Sequence, residues 1–219
     1  MKVWLMQPED IVAAKQMVRV AWFGARVCRY YGSHEALVKE VWNTPMEVLG
    51  NKLWSAIHEE WAVDLLRHSL FSFHVEQYPM WFWAEIGRHK FVKENVDREQ
   101  LSQRALKSWE LPVYNPFHGE AYQEFENLIV RTQEFMERME KQGWSRDDVR
   151  NASFQGTLVN NLVSVNAETI HHLVVMRGSK DLVKEFGGKA APLFQEMVGD
   201  VWSQSKEVCP WLFKEVLVR

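Results

Sequence analysis

Residues 69 to 75 read Ser-Leu-Phe-Ser-Phe-His-Val, and Pro79 follows after a short polar gap. Apolar and polar side chains alternate from Phe71 to Val75, which predicts a β-strand with one face buried. Pro79 then opens a helix through Met80-Trp81-Phe82-Trp83 that runs to Arg88, because a proline at a helix start loses no needed N–H. That helix ends on Arg88-His89-Lys90, cations where an apolar core has no use for them, and Leu101-Ser102-Gln103-Arg104 follows one loop later. Arg presents a planar fork of donors that matches phosphate, and Lys a compact charge. On the residues alone the cluster is either a pocket for a small anion or a solvated, charged helix end.

The 219 residues suit one domain, residues 1–219. The net charge of −3 gives no global footprint for a nucleic-acid polymer or an anionic membrane, so any polyanion contact is local. Eleven Trp residues favour a large core, stacking platforms for planar ligands, or subunit interfaces. Cys28 and Cys209 stand apart with no CxxC, which implies a reducing compartment. No run is long and apolar enough to span a bilayer, and Met1-Lys2-Val3-Trp4-Leu5 lacks a signal-peptide core, so a cytosolic location is expected.

Along the chain, Lys2 to Met6 predicts a strand ended by Pro8, and Pro8-Glu9-Asp10 starts a helix with acids in its first turn. His34 to Val48 and Asn51 to Leu66 predict two helices. Lys93 to Gln103 reads as a charged loop and Trp109 to Tyr114 as a strand limited by prolines. Gly119 to Gln142 carries Tyr122, Phe125, Leu128, Ile129, Thr132 and Met136 at helical spacing, a stripe expected to face the core, and Gly143 ends it. Ser145 caps a short helix to Arg150. Thr157 to Val165 predicts a strand that leads through Asn166-Ala167-Glu168-Thr169 into a helix ending at Arg177. A last helix starts near Ala191.

Arg88-His89-Lys90 with Leu101-Ser102-Gln103-Arg104 resembles the RHRxxSxNExSxRY signature of the flavin-dependent thymidylate synthases, with a longer loop between the halves. The flanks agree: a His before an F-x-F strand, then Pro, an apolar helix and the RH terminus. Near Asn166 the family has strand, N-A-R-S, and a helix ending N-L-R. Ala25-Arg26-Val27-Cys28 and Glu207 to Phe213 are further, weaker likenesses. The resemblance implies an α/β (α+β) fold with a mainly antiparallel sheet flanked by long helices. It implies transfer of a one-carbon unit from methylenetetrahydrofolate to C5 of a deoxypyrimidine monophosphate, dUMP to dTMP. FAD would carry the hydride, NADPH would be the reductant, and the protein would be a homotetramer.

Carried over by position, Arg88, Ser102, Arg104 and Arg150 resemble nucleotide-binding residues. Arg177 resembles the Arg that meets the pyrimidine ring. His68, His89, Lys90, Asn166 and His172 resemble flavin-side positions. With Arg177 and Arg88, Glu85 completes the expected catalytic group.

The chain departs from the pattern in places. Glu85 stands where Gln is usual, Glu168 where a flavin-contacting Arg is usual, and His172 where Asn is usual. Arg67 replaces an acid before His68, Ala105 replaces Tyr, and Leu182-Val183 replaces A-Q, although Glu185 keeps its place. An extra carboxylate can accept from a cytosine N4–H₂ donor or can neutralise a neighbouring Arg. The chain thus resembles a divergent, phage-type member. Alternative readings are a dCMP or dUMP hydroxymethylase and a non-catalytic nucleotide- or flavin-binding relative. A metal site on His171-His172, His58 and His89 is disfavoured, because adjacent histidines on a helix face different ways.

Overall fold

The structure, a computed structural model, describes residues 1–27, 30–59, 63–86, 96–100, 107–184, 188 and 190–217. Strands β1 (Lys2–Gln7), β2 (Leu70–Pro79), β3 (Val96–Gln100) and β4 (Leu158–Asn166) form one sheet in the order β1-β2-β4-β3. Among the described residues the helices are α1 (Ile11–Val27), α2 (His34–Asn43), α3 (Met46–Glu59), α4 (Met80–Ile86), α5 (Glu120–Lys141), α6 (Arg146–Val149), α7 (Ala167–Arg177) and α8 (Pro192–Val208). The chain divides into two compact units: Met1–Lys2 with Val75–Lys93 and Glu99–Leu162, and Val3–His74 with Glu94–Arg98 and Val163–Arg219.

In the second unit, α1 packs on α2, α3 and a 3-10 turn at Val63–His68, and α7 packs on α8 and the same turn. Phe71 and Phe73 of β2 are fully buried, as the alternation predicts, and burial of each stabilises by roughly 2–3 kcal/mol. Ser72 on the opposite face is also buried, because its hydroxyl shares a hydrogen bond with Ser164 of β4 at 2.8 Å. The edge strand β1 is sealed from α8. Gln204 accepts from the Leu5 N–H at 2.7 Å and donates to the Val3 carbonyl at 3.0 Å, which satisfies backbone groups an edge would leave open.

Several boundaries differ from expectation. The predicted helix 34–48 stops at Asn43 because Pro45 disfavours a helical residue before it. The Thr44 hydroxyl closes α2 by donating to the Glu40 carbonyl, and α3 begins at Met46. Within the predicted helix 51–66, the described residues form α3 up to Glu59 and a 3-10 turn at Val63–His68. Asp10 does not lie in the first turn of α1 but caps it, accepting from the N–H groups of Val12 and Ala13 at 2.8 and 2.9 Å. The expected loop 93–103 contains β3; a strand so polar in sequence is tolerated because it lies at the sheet edge.

In the first unit, α4 is tied down at its start, where Met80 and Trp81 donate to the carbonyls of Thr157 and Gln155, both at 3.0 Å. The strand expected at 109–114 shrinks to a single antiparallel bridge, Val113 to Thr157, after a 3-10 turn at Ser108–Glu110. Pro112 has no N–H to extend the ladder. Gly143, at φ +92°, closes α5 in the left-handed conformation that a side chain would strain. The α5 stripe expected to be core is only partly so. Ile129 and Met136 are buried, whereas Tyr122 and Leu128 are exposed, together with Val130 and Phe135. The helix carries more apolar surface than its own unit covers.

Candidate functional site

The start of α7 is built by its sequence. The Asn166 side chain accepts from the Thr169 N–H at 2.8 Å and from the Thr169 hydroxyl at 2.9 Å, a buried N-cap. Glu168 stands in the first turn, where the helix dipole favours a carboxylate. Arg67 Nε donates to Glu168 Oε2 at 2.5 Å and Nη2 to Oε1 at 3.4 Å, while Nη1 lies 3.2 Å from Asp64. The hydrogen bond to Glu168 raises the Arg67 pKa above its ordinary value. The two departures at 67 and 168 therefore answer each other. A cation on the turn meets an acid on the helix, where the resemblance leads one to expect the reverse. Of the two uses open to an extra carboxylate, Glu168 has the neutralising one.

His68 follows directly and is exposed. Its ring edge faces Gly24 of α1; a Cβ on Gly24 would stand 3.2 Å from Nε2 and 3.3 Å from Cδ2. Gly24 is thus part of the His68 environment, a role invisible in the sequence because the contact joins residues 44 positions apart.

Arg177 ends α7. Its guanidinium carbon lies 5.4 Å from the ring centroid of the fully buried Phe194, a cation–π arrangement that holds the planar group by its face. Gly178 follows because a Cβ there would stand 2.5 Å from the Val174 carbonyl oxygen. His172 is half-buried on the same helix. Its neighbour His171 faces elsewhere and is buried. Leu217 donates its N–H to Nδ1 at 3.2 Å, so Nε2 carries the proton and donates to the Leu212 carbonyl at 2.9 Å. The ring stacks on Phe213 at 5.2 Å, and burial pushes its pKa down to about 4. A neutral ring with both nitrogens engaged is a structural pin. Among the described residues, no group of three or more His, Cys, Asp or Glu could hold a metal ion.

In the other unit, Glu85 is half-buried on α4. Arg150 begins a 3-10 turn after α6, and its Nη1 lies 3.4 Å from Asp147. Near it, Phe135, Met139, Trp144, Asp148, Val149 and Ala152 line an open, mostly apolar cavity of about 420 Å³. Among the expected site residues, His68, Asn166, His172 and Arg177 fall in one unit and Glu85 and Arg150 in the other. Arg88, His89, Lys90, Ser102 and Arg104 lie outside the described residues, as do Cys28, Ala105 and Glu185.

The model of the thymidylate synthase complementing protein family matches residues 11–211. The chain belongs to that family. Its members are flavin-dependent thymidylate synthases, so the expected family and the mixed fold of helices and mainly antiparallel sheet both hold. Among solved structures, the chain is similar to thymidylate synthase X from Helicobacter pylori, crystallised with FAD and dUMP. The TM-score is 0.60 and the identity 15%, and 100% of each chain is covered. At that identity the likeness carries the fold. A comparison with curated proteins returns no match. Among the described residues no helix is long and apolar enough to cross a membrane.

Proposed function

We propose that the protein transfers a one-carbon unit from methylenetetrahydrofolate to C5 of dUMP, giving dTMP, with FAD as cofactor and NADPH as reductant, in the cytosol. The observation that carries this reading is the family match over residues 11–211, which spans every residue expected at the site. Among the described residues, the charges at 67 and 168 are compatible with a flavin dinucleotide. The carboxylate at 168 is matched by Arg67, so it would present no uncompensated anion to the doubly negative pyrophosphate of that cofactor. His68 is an exposed imidazole next to that pair.

Bound FAD would supply the hydride. The chain's part is to bind, orient and polarise. Arg177, held on Phe194, stabilises charge that develops on a pyrimidine carbonyl oxygen as C5 becomes nucleophilic. Arg88, Ser102, Arg104 and Arg150 grip the nucleotide, with Ser102 and Arg104 on its phosphate and Arg88 also near the flavin. His68, His89, Lys90, Asn166 and His172 border the flavin, and Glu85 meets the base edge. A homo-oligomer, with the tetramer as the expected state, would cover the exposed residues Leu128, Phe135 and Trp144 of the first unit.

The deciding experiment incubates the purified protein with dUMP or dCMP, methylenetetrahydrofolate, FAD and NADPH, and identifies products by mass spectrometry. Formation of dTMP from dUMP supports the proposal. A hydroxymethylated product from either nucleotide overturns the methyl assignment in favour of a hydroxymethylase, a reading that Glu85 at the base edge favours through the cytosine amino group. A protein that binds nucleotide or flavin without product is the non-catalytic relative.

A further inference from the structure

The turn that carries His68 is fastened to one helix start on both sides of that residue. Before it, Arg67 grips Glu168 with two guanidinium nitrogens, at 2.5 and 3.4 Å. After it, the Ser69 carbonyl accepts from the Ala167 N–H at 3.0 Å. Residues 67 and 69 are thus both anchored to residues 168 and 167. Asn166, one position earlier, caps the same helix through Thr169. A residue bracketed in this way has little freedom left in its backbone, and its side chain must leave toward α1, where the ring edge meets Gly24.

Surface ion pairs are usually worth little, because two long side chains must be ordered in water. This one differs in three respects. The Glu168 side chain is only 14% exposed, against 50% for Arg67, so one partner of the pair is largely packed against the protein. The contact is a two-point fork, the stronger geometry for guanidinium and carboxylate. The third guanidinium nitrogen is held by Asp64 in the same turn, which fixes the plane of the group.

We propose that Arg67 and Glu168 are a positioning pair: they clamp the turn to the start of α7 and thereby fix the His68 imidazole against Gly24. The pair does not touch substrate in this reading; it acts through His68. The part of the proposal that concerns flavin rests on the proposed function, because it takes His68 as a flavin-side group. The part that concerns the ring position does not.

The test uses the full chain and four variants: R67E, E168R, the double R67E/E168R, and G24A. The His68 ring C–H resonance is followed by NMR without flavin, assigned by its loss in H68Q, and FAD affinity is followed by flavin fluorescence. R67E and E168R should each move the His68 resonance, and each should weaken FAD binding by about tenfold. The double variant, with the charges exchanged, should bring the resonance at least halfway back and recover most of the affinity. G24A should move the same resonance while the ion pair stays intact, because the new methyl crowds the ring. Should the charge reversals prevent folding, R67Q and E168Q replace them and should each move the resonance too.

A folded single variant whose His68 signal is unmoved overturns the proposal. So does a double variant no closer to the parent than the worse single. If the parent binds no FAD yet the resonances behave as described, the positioning pair stands and the flavin reading fails.

Discussion

Leu217 donates its backbone N–H to Nδ1 of His171 at 3.2 Å, across 46 positions of sequence. With the opposite nitrogen on Leu212 and the ring stacked on Phe213, one imidazole fastens the C-terminal segment to α7. That neutral ring makes stability depend on acid. His171 has a folded pKa of about 4 against an ordinary 6.5, so the unfolded chain takes up its proton first as pH falls. Stability is fully present above pH 6.5 and is lost progressively down to about pH 4, by about 3 kcal/mol from this residue. Urea unfolding at intervals between pH 7 and 4 should show this fall, and His171→Phe should flatten it while lowering stability at pH 7.

Cys209 gives a second, independent check on the same corner. It is fully buried, and burial raises its thiol pKa to about 12, so almost no thiolate exists at neutral pH. In a Cys28→Ser background, Ellman's reagent should leave Cys209 unmodified in the native protein and label it fully in denaturant. Rapid native labelling would show that this segment opens.

Asn166 carries a cap as well as an expected flavin contact, and the two roles separate by substitution. Asn166→Ala removes the acceptor for Thr169 and should cost about 1–2 kcal/mol in thermal or urea unfolding. Asn166→Asp keeps an acceptor at a helix start and should retain most of that stability. A variant that keeps the stability but loses flavin assigns Asn166 to the cofactor as well as to the helix.

Gly50 sits inside α3, where Ala would ordinarily be the better residue by about 1 kcal/mol. The indole of Trp211 lies where its Cβ would be. An aromatic ring packed there cannot retreat as a flexible chain end could, so Gly50→Ala should destabilise by about 1–3 kcal/mol despite the gain in helix propensity. Thermal unfolding of the single variant decides the sign.

The parts of the fold that were readable in advance are those whose signals are local. The Phe71-Ser72-Phe73 alternation, Pro79 ahead of an apolar helix, Ser145 as a cap, and Gly143 as a stop each act within a few residues. The break at Pro45 was equally local, but the apolar pattern on both sides of it runs on as though one helix continued. What could not be read is what depends on distance. Arg67 and Glu168 look like two separate irregularities until the fold joins them across 101 positions. Gly24 and Phe194 carry no local mark of the side chains they meet. The α5 stripe misleads for a related reason: periodicity shows that a face is apolar, not which surface covers it.

The exchange of charge between residues 67 and 168 bears on how relatives of this chain should be sought. A pattern that demands a base at the second position rejects it, and so does one that demands an acid at the first. A pattern requiring only that the two be opposite in sign would keep it, together with any cousin that made the same trade.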